Sequence, residues 1–178
     1  MTLRRIAISL MVLILTSMQS YAQNYVDVSY KNIDMISFRG WEITKLDFPF
    51  FDKEGHNISL LCPDEGSSES FAITWVPKDS RITIANAIAQ SRIDVYKIME
   101  DLGLKDYTTL SKIYDIEIRG YSGKTFDVKI SVEGVTVYKK VVIWEENGYQ
   151  LSIEKSGEMP QNLFLIYYDD LERSIEIH

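Results

Sequence analysis

Cysteine is almost missing: Cys62 is the single thiol in 178 residues. An intramolecular disulfide framework is therefore excluded, and stability must come from packing. Histidine is nearly as scarce, with only His56 and His178, which excludes a histidine-rich metal cluster. Positive charge is also short. Nineteen Lys and Arg stand against 26 Asp and Glu, for a net charge of −7 and a pI near 4.9. That balance gives no electrostatic footprint for a nucleic-acid backbone or an anionic membrane face. There is no glycine-rich phosphate loop and no Gly-x-Ser-x-Gly nucleophile step. After the first 22 residues no apolar run approaches the roughly 20 residues a bilayer span requires. Internal repeats and linker-like segments are missing as well, so a single domain is expected.

The one long apolar run, Ile6 to Leu15, lies behind Arg4 and Arg5 and is interrupted only by Ser9. Ser20-Tyr21-Ala22 then places small side chains at −3 and −1 of a cut before Gln23. This is the pattern of a secretory signal: charge orients it, a short apolar helix inserts, and a narrow peptidase groove admits small residues. A cleavable signal is expected over 1–22, a loose lead-in over 23–32 and one globular domain over 33–178. A retained N-terminal anchor is the alternative. The mature 156 residues would carry 17 basic and 26 acidic side chains, a net of −9. A chain of that length buries roughly 70% of its unfolded surface. No cysteine follows the signal, so a lipid anchor is not expected. The expected location is periplasmic or extracellular.

Downstream, β-compatible stretches dominate. Residues 33–46 read as extended, with Gly40 marking a bend, and Asp52-Lys53-Glu54-Gly55 reads as a turn. Residues 57–62 and 71–76 read as strands, the second with Phe71, Ile73 and Trp75 on one face. Ile84, Ile88, Val95, Ile98, Met99 and Leu102 recur at 3.6-residue spacing, predicting a helix over 81–102. Ser80 or Thr83 caps its start, and Gly103 with Leu104 supplies a left-handed stop. A meander of strands follows. Tyr121-Ser122-Gly123, Glu133-Gly134 and Asn147-Gly148 are its expected turns, the last being the strongest hairpin signal. Val141 to Trp144 is apolar on both faces, which calls for cover on both sides. Residues 160–172 read as a closing helix, with Leu163, Ile166, Tyr167 and Leu171 inward. The expected class is α+β: an α/β/α sandwich with a central antiparallel sheet, a long helix after the early strands and a C-terminal helix.

This order of elements resembles the PsbP-like superfamily, which includes photosystem PsbP proteins, DcrB lipoproteins and a Ran-binding branch. The likeness runs over residues 33–177. It rests on Ile36-Ser37-Phe38-Arg39-Gly40-Trp41 as an early strand with a Trp and on Phe71-Ala72-Ile73-Thr74-Trp75-Val76 before the long helix. Gly123-Lys124-Thr125-Phe126 at the step into the second half and the closing 163–177 segment with Ser174 complete it. The resemblance implies an α/β/α sandwich and a non-catalytic role, and it brings no catalytic residue to carry over.

Three clusters bear on chemistry. Asp52, Glu54 and His56 at i, i+2, i+4 would share a face on a strand and could bind a divalent cation, or they would diverge in a solvated turn. Asp64, Glu65 and Glu69 lie in a Ser-rich loop without the ligand offsets of a calcium site. Phe48, Phe50 and Phe51 flank Pro49 and offer either a partner anchor or a cap on the core. Cys62 shares the parity of Ile58 and Leu60, which suits a buried thiol. The expected function is an exported, non-catalytic binding or accessory module of the cell envelope, with an unidentified protein partner and no cofactor. The alternative is a divalent-cation protein or metal-dependent enzyme using Asp52, Glu54 and His56.

Overall fold

A computed structural model describes residues 25–65, 67–158 and 167–178. The segments 1–22 and 160–166, to which a signal and most of a closing helix were assigned, lie essentially outside these residues. Eight strands form one antiparallel sheet in the order β3-β4-β5-β10-β9-β8-β6, with β7 also paired to β8. They are β3 (Glu42–Phe50), β4 (Lys53–Leu61), β5 (Ser70–Pro77), β6 (Thr108–Leu110), β7 (Tyr114–Ile118), β8 (Tyr121–Val132), β9 (Val135–Glu146) and β10 (Tyr149–Gly157). A second, three-stranded sheet joins β1 (Tyr25–Tyr30), β2 (Ile33–Phe38) and β11 (Glu176–Ile177).

The α+β class is therefore observed, and β9 carries the two-faced apolar pattern that demands two covers. Val141 and Ile143 meet helix α1 (Ile84–Asp101) through Ile88 and Val95, together with Phe126 and Val128 of β8. Val142 and Trp144 point the other way, into a larger core with Ile58, Leu60, Phe71, Ile73, Trp75, Leu151 and Ile153. That core is closed by Val28, Ile33 and Met35 from β1 and β2 and by Tyr168, Leu171 and Ile175 around the one-turn helix α2 (Asp169–Arg173). Among the described residues the second cover is thus a small sheet plus a short helix, where a helix alone was expected. The lead-in expected to be loose over 23–32 contains β1, because Val28 has an apolar floor to bury against.

Helix α1 begins as its cap predicts: the Thr83 hydroxyl accepts from the Asn86 N–H at 3.2 Å. It ends with Gly103 at φ +70° and the Leu104 N–H donating to the Met99 carbonyl, 2.8 Å away. Two residues of its expected inward stripe are not inward. Ile98 is 52% and Leu102 63% exposed. The helix packs chiefly on β8 and β9, so Ile98 flanks the open groove beside them, and Leu102 lies past the last helical residue.

The hairpins at Glu133-Gly134 and Asn147-Gly148 form with positive φ at both residues. Two other expected turns are displaced. The β7–β8 turn is Arg119-Gly120, and the β3–β4 turn is Phe51-Asp52. Gly123 and Gly55 are strand residues instead. A Cβ on Gly123 would sit 2.8 Å from the Ile143 carbonyl, and one on Gly55 would sit 2.5 Å from the Phe48 ring. Both glycines serve close approach across the sheet, a use that mimics a turn signal in sequence.

Ile153 is fully buried, so Ile153→Ala should cost about 2–5 kcal/mol. Leu102→Ala should stay within about 0.5 kcal/mol. Urea unfolding of the two variants checks the inward and outward assignments. Equal losses would contradict the helix placement.

Candidate functional site

Because α1 lies over β8 and β9, the same face of β10, β5, β4 and β3 is left open among the described residues. Its floor is polar. The Asn57 amide donates to the Thr74 hydroxyl at 2.9 Å, and the Ser59 hydroxyl donates to the Asn57 carbonyl oxygen at 2.7 Å. Gln150 and Glu154 continue the floor on β10. One wall is α1, presenting Ala87, Gln90, Asp94 and Ile98. The far end is apolar, with Phe48 and Phe50 of β3, Val76 of β5 and Ile82 before the helix. Together they enclose an open groove of about 670 Å³, a size that suits a small ligand or one peptide anchor.

Phe48 packs over β4 in this groove because Gly55 opposite it has no side chain: its ring occupies the space a Cβ there would need. Of the three phenylalanines singled out in sequence, Phe48 and Phe50 line the groove and Phe51 does not. Phe51 is the turn residue at φ +54°, packed edge-on to Phe50 at 4.9 Å and covered by the Arg81 guanidinium 4.2 Å above its ring. Arg81 is held in turn by Asp79, through contacts of 2.5 and 2.8 Å, and by Asp52 at 3.4 Å. That clamp keeps the Asp79 carboxyl far below the usual carboxylate range. Val76, Ile82 and Ile98 were missed as groove residues. Their only sequence signal was an apolar side chain at a position that the helix contact leaves unused.

The cation cluster expected from Asp52, Glu54 and His56 is assembled differently. Glu54 and His56 share a face of β4, but Asp52 is a turn residue with its carboxylate at Arg81. Its place is taken by Asp47, directly across from His56 in the β3–β4 register. One ligand atom from each of Asp47, Glu54 and His56 lies within 4.8 Å of the others. Asp47 Oδ1 accepts from the Tyr30 hydroxyl at 2.6 Å and pairs with His56 Nδ1 at 2.7 Å, while Oδ2 meets the Lys31 ammonium at 3.1 Å. With Asp47 ionised, Nδ1 is the protonated ring nitrogen. Lys31 also reaches Glu54 at 3.4 Å. The Tyr30 and His56 hydrogen bonds lead in holding the Asp47 carboxyl down to about 2, with Lys31 adding to them. The same Asp47 contact raises the Tyr30 phenol and the Lys31 ammonium. The carboxylates that would receive a divalent ion already share one ammonium, and the cluster ties the β1–β2 hairpin to the large sheet.

Other sequence candidates disperse. Cys62 follows the end of β4, half-buried, with Sγ 3.7 Å from Asp64. Its thiol is not in the core. His178, the last residue, is held in place: it pairs with Asp34 at 2.9 Å, and its backbone N–H bonds the Asn32 carbonyl. No helix among the described residues is long and apolar enough to cross a membrane.

No protein-family model matches the chain, and no curated protein matches it. Solved structures do. Cyanobacterial PsbP (CyanoP) from Synechocystis sp. PCC 6803 aligns over 87% of this chain and 93% of its own, with 10% identity and a TM-score of 0.56. The Saccharomyces cerevisiae Ran-binding protein Mog1p aligns over 86% and 95%, at 11% identity and a TM-score of 0.46. LpqN, involved in cell envelope biogenesis of Mycobacterium tuberculosis, aligns over 86% and 90%, at 12% identity and a TM-score of 0.41. The fold is that of PsbP, as the order of elements implied.

Asp47 is more acidic folded than unfolded, so it stabilises the fold above about pH 4 and loses that effect as pH falls toward 2. Asp47→Asn should therefore be clearly weaker than the wild type at about pH 5 and approach it at about pH 2.5. Urea midpoints at the two pH values read this directly. A gap independent of pH would mean that the carboxylate charge is not what Tyr30, Lys31 and His56 recognise.

Proposed function

We propose that the chain is an exported accessory module of the cell envelope that works by holding a partner protein, without catalysis. The observation that carries this reading is the groove between α1 and the β3 aromatics. It is open, its apolar end is formed by Phe48, Phe50, Val76 and Ile82, and its floor carries amide and hydroxyl side chains, Thr74 and Gln150, suited to orienting a bound segment. Its ionisable groups are engaged with neighbours: Arg81 with Asp79, Lys139 with Glu154 at 2.5 Å, and Asp94 with Gln90 at 2.8 Å. That arrangement favours recognition over acid–base work, where a group must be free to exchange a proton. The PsbP fold and the secretory pattern of residues 1–22 support the same reading, with the mature chain beginning at Gln23 in the periplasm or outside the cell.

The test is recovery of partners from envelope extract. Wild type and Phe51→Ser should retain the same partner, whereas Phe48→Ser combined with Phe50→Ser should recover at least about tenfold less, the loss expected when a central anchor worth about 1.4 kcal/mol or more is removed. Matching melting curves for the bait proteins exclude a folding defect. Equal recovery by all three would remove the groove from the reading.

A second reading rests on the convergence of Asp47, Glu54 and His56, with Asp47 replacing Asp52 in the expected set. Here the cluster binds a divalent cation once Lys31 withdraws. A ligand that binds only the folded state raises stability by about 2.7 kcal/mol at 100 times its Kd. Melting with zinc, calcium or EDTA discriminates. The binding-module reading expects no shift with any of them, and a rise abolished by His56→Ala would favour the metal.

A further inference from the structure

Strand β3 ends the eight-stranded sheet, and among the described residues no strand pairs with its outer side. Which groups that side presents follows from the hairpin. Phe50 stands opposite Lys53 across the two-residue Phe51-Asp52 turn. The pair that closes such a turn exchanges both backbone hydrogen bonds. Phe50 and every second residue before it therefore direct their N–H and C=O toward β4. Ile43, Lys45 and Asp47 direct theirs outward. The next outward position is Pro49, which has no N–H to leave unpaired.

Edges of this kind are ordinarily blunted by a charge projecting across them or by a covering segment. Here the charges are turned aside. The Lys45 ammonium reaches back to the Ser29 carbonyl at 2.7 Å, and the Asp47 carboxylate is drawn into the Tyr30 and His56 cluster. Leu46, between them, is 56% exposed on the groove side of the sheet.

We infer that β3 is a self-association edge, which pairs antiparallel with β3 of a second copy so that two sheets become one across a two-fold axis. The sequence of the strand selects the register. Outward groups must face outward groups, so the centre falls on a residue and not between two, and the registers that overlap the nine-residue strand most fully are centred on Lys45, Leu46 or Asp47. A centre on Lys45 sets two ammonium groups together, and a centre on Asp47 sets two carboxylates together, both unfavourable. A centre on Leu46 places each Lys45 against Asp47 of the second copy, twice, and stacks Leu46 on Leu46. The receiving site is negative. Asp47 and Glu54 share only the Lys31 ammonium, so an incoming Lys45 meets a surplus carboxylate charge. Pro49 ends the ladder by withholding one donor. The strand is short and the buried area falls below the roughly 1,200 Å² of stable complexes, so the dimer is a weak, concentration-dependent one.

Sedimentation of the protein, expressed at full length and purified, tests this. From about 1 to about 500 µM, the range where small interfaces saturate, the wild type should shift from monomer to dimer, and Lys45→Glu should stay monomeric. Lys45→Glu gives up the exposed hydrogen bond to Ser29, so a modest fall in melting temperature is expected, and Lys45→Gln, which can keep that bond but not the charge, should be monomeric too with a melting temperature close to the wild type. Cross-linking reads the register independently. In a Cys62→Ser background, Leu46→Cys should form a disulfide-linked dimer under mild oxidation, since residues facing each other in a non-hydrogen-bonded pair come within bridging range. Thr44→Cys, facing Phe48 of the second copy, should not. A wild type that is monomeric throughout, a dimer indifferent to Lys45→Glu, or equal cross-linking from positions 44 and 46 would each overturn the inference.

Discussion

The sheet's central strands are apolar on both sides, and most of the architecture follows from covering them. Val141 and Ile143 on one face of β9, and Val142 and Trp144 on the other, are 5% exposed or less. Among the described residues α1 covers the first face. The second is broader, running from Ile58 and Leu60 on β4 to Ile118 on β7, and it is closed by pieces from both ends of the described chain. Ile33 of β2 pairs with Ile177 of β11, and the Tyr168 hydroxyl reaches the Ser156 carbonyl beneath it. Burial pushes that phenol far above its ordinary range. The cover is hydrophobic at its centre and electrostatic at its corner, where Tyr30 and Lys31 grip Asp47. Hydrophobic burial supplies the larger part of the stabilisation, while the corner fixes where the cover sits.

Local signals in the sequence translated well where one element decided the outcome. Thr83, Gly103, Glu133-Gly134 and Asn147-Gly148 each act through their own backbone, and each is found doing what its chemistry suggests. The failures share a different cause. Gly55 and Gly123 resemble turn residues, yet their need for a missing side chain comes from Phe48 and from the Ile143 carbonyl, on other strands. Likewise the partner of His56 is not two or four residues away but across the hairpin, at Asp47. Period-2 spacing places Glu54 and His56 on one face, but it cannot say which residue of β3 arrives opposite. β1 escaped notice because its short alternation acquires meaning only with an apolar floor below Val28.

The groove is the counterpart of that economy. Among the described residues one long helix lies on this face and leaves part of it open, and the open part is polar along Ser59, Asn57, Thr74 and Gln150, as a wet face must be. Apolar side chains reappear only at its end, where Phe48, Phe50 and Val76 gather. Elsewhere the protein meets burial of charge by local pairing. Lys140 and Lys155 are neighbours across β9 and β10, and both are buried. Each has its own carboxylate, Asp127 at 3.3 Å and Glu172 at 2.7 Å. Removing Glu172 would leave the Lys155 ammonium buried without its carboxylate, which costs more than the ion pair itself contributes, whereas Lys140 would keep the Tyr114 hydroxyl at 2.8 Å.

The pairing of β5 with β10 has a kinetic meaning. Strands β3, β4 and β5 form one consecutive meander, and β7 to β10 form another, each connected by turns that close within microseconds. Only the seam that sets Ile73 beside Ile153 unites them, and it spans nearly half of the chain. Loop closure over such a stretch grows slowly with length, by about 0.6 kcal/mol per doubling. It must nevertheless be met before the contacts across it form, and of the pairings in the large sheet this is the one with the greatest separation along the chain. Until it zips, each meander presents two open borders, and the net charge of −7 makes two such borders on separate molecules repel.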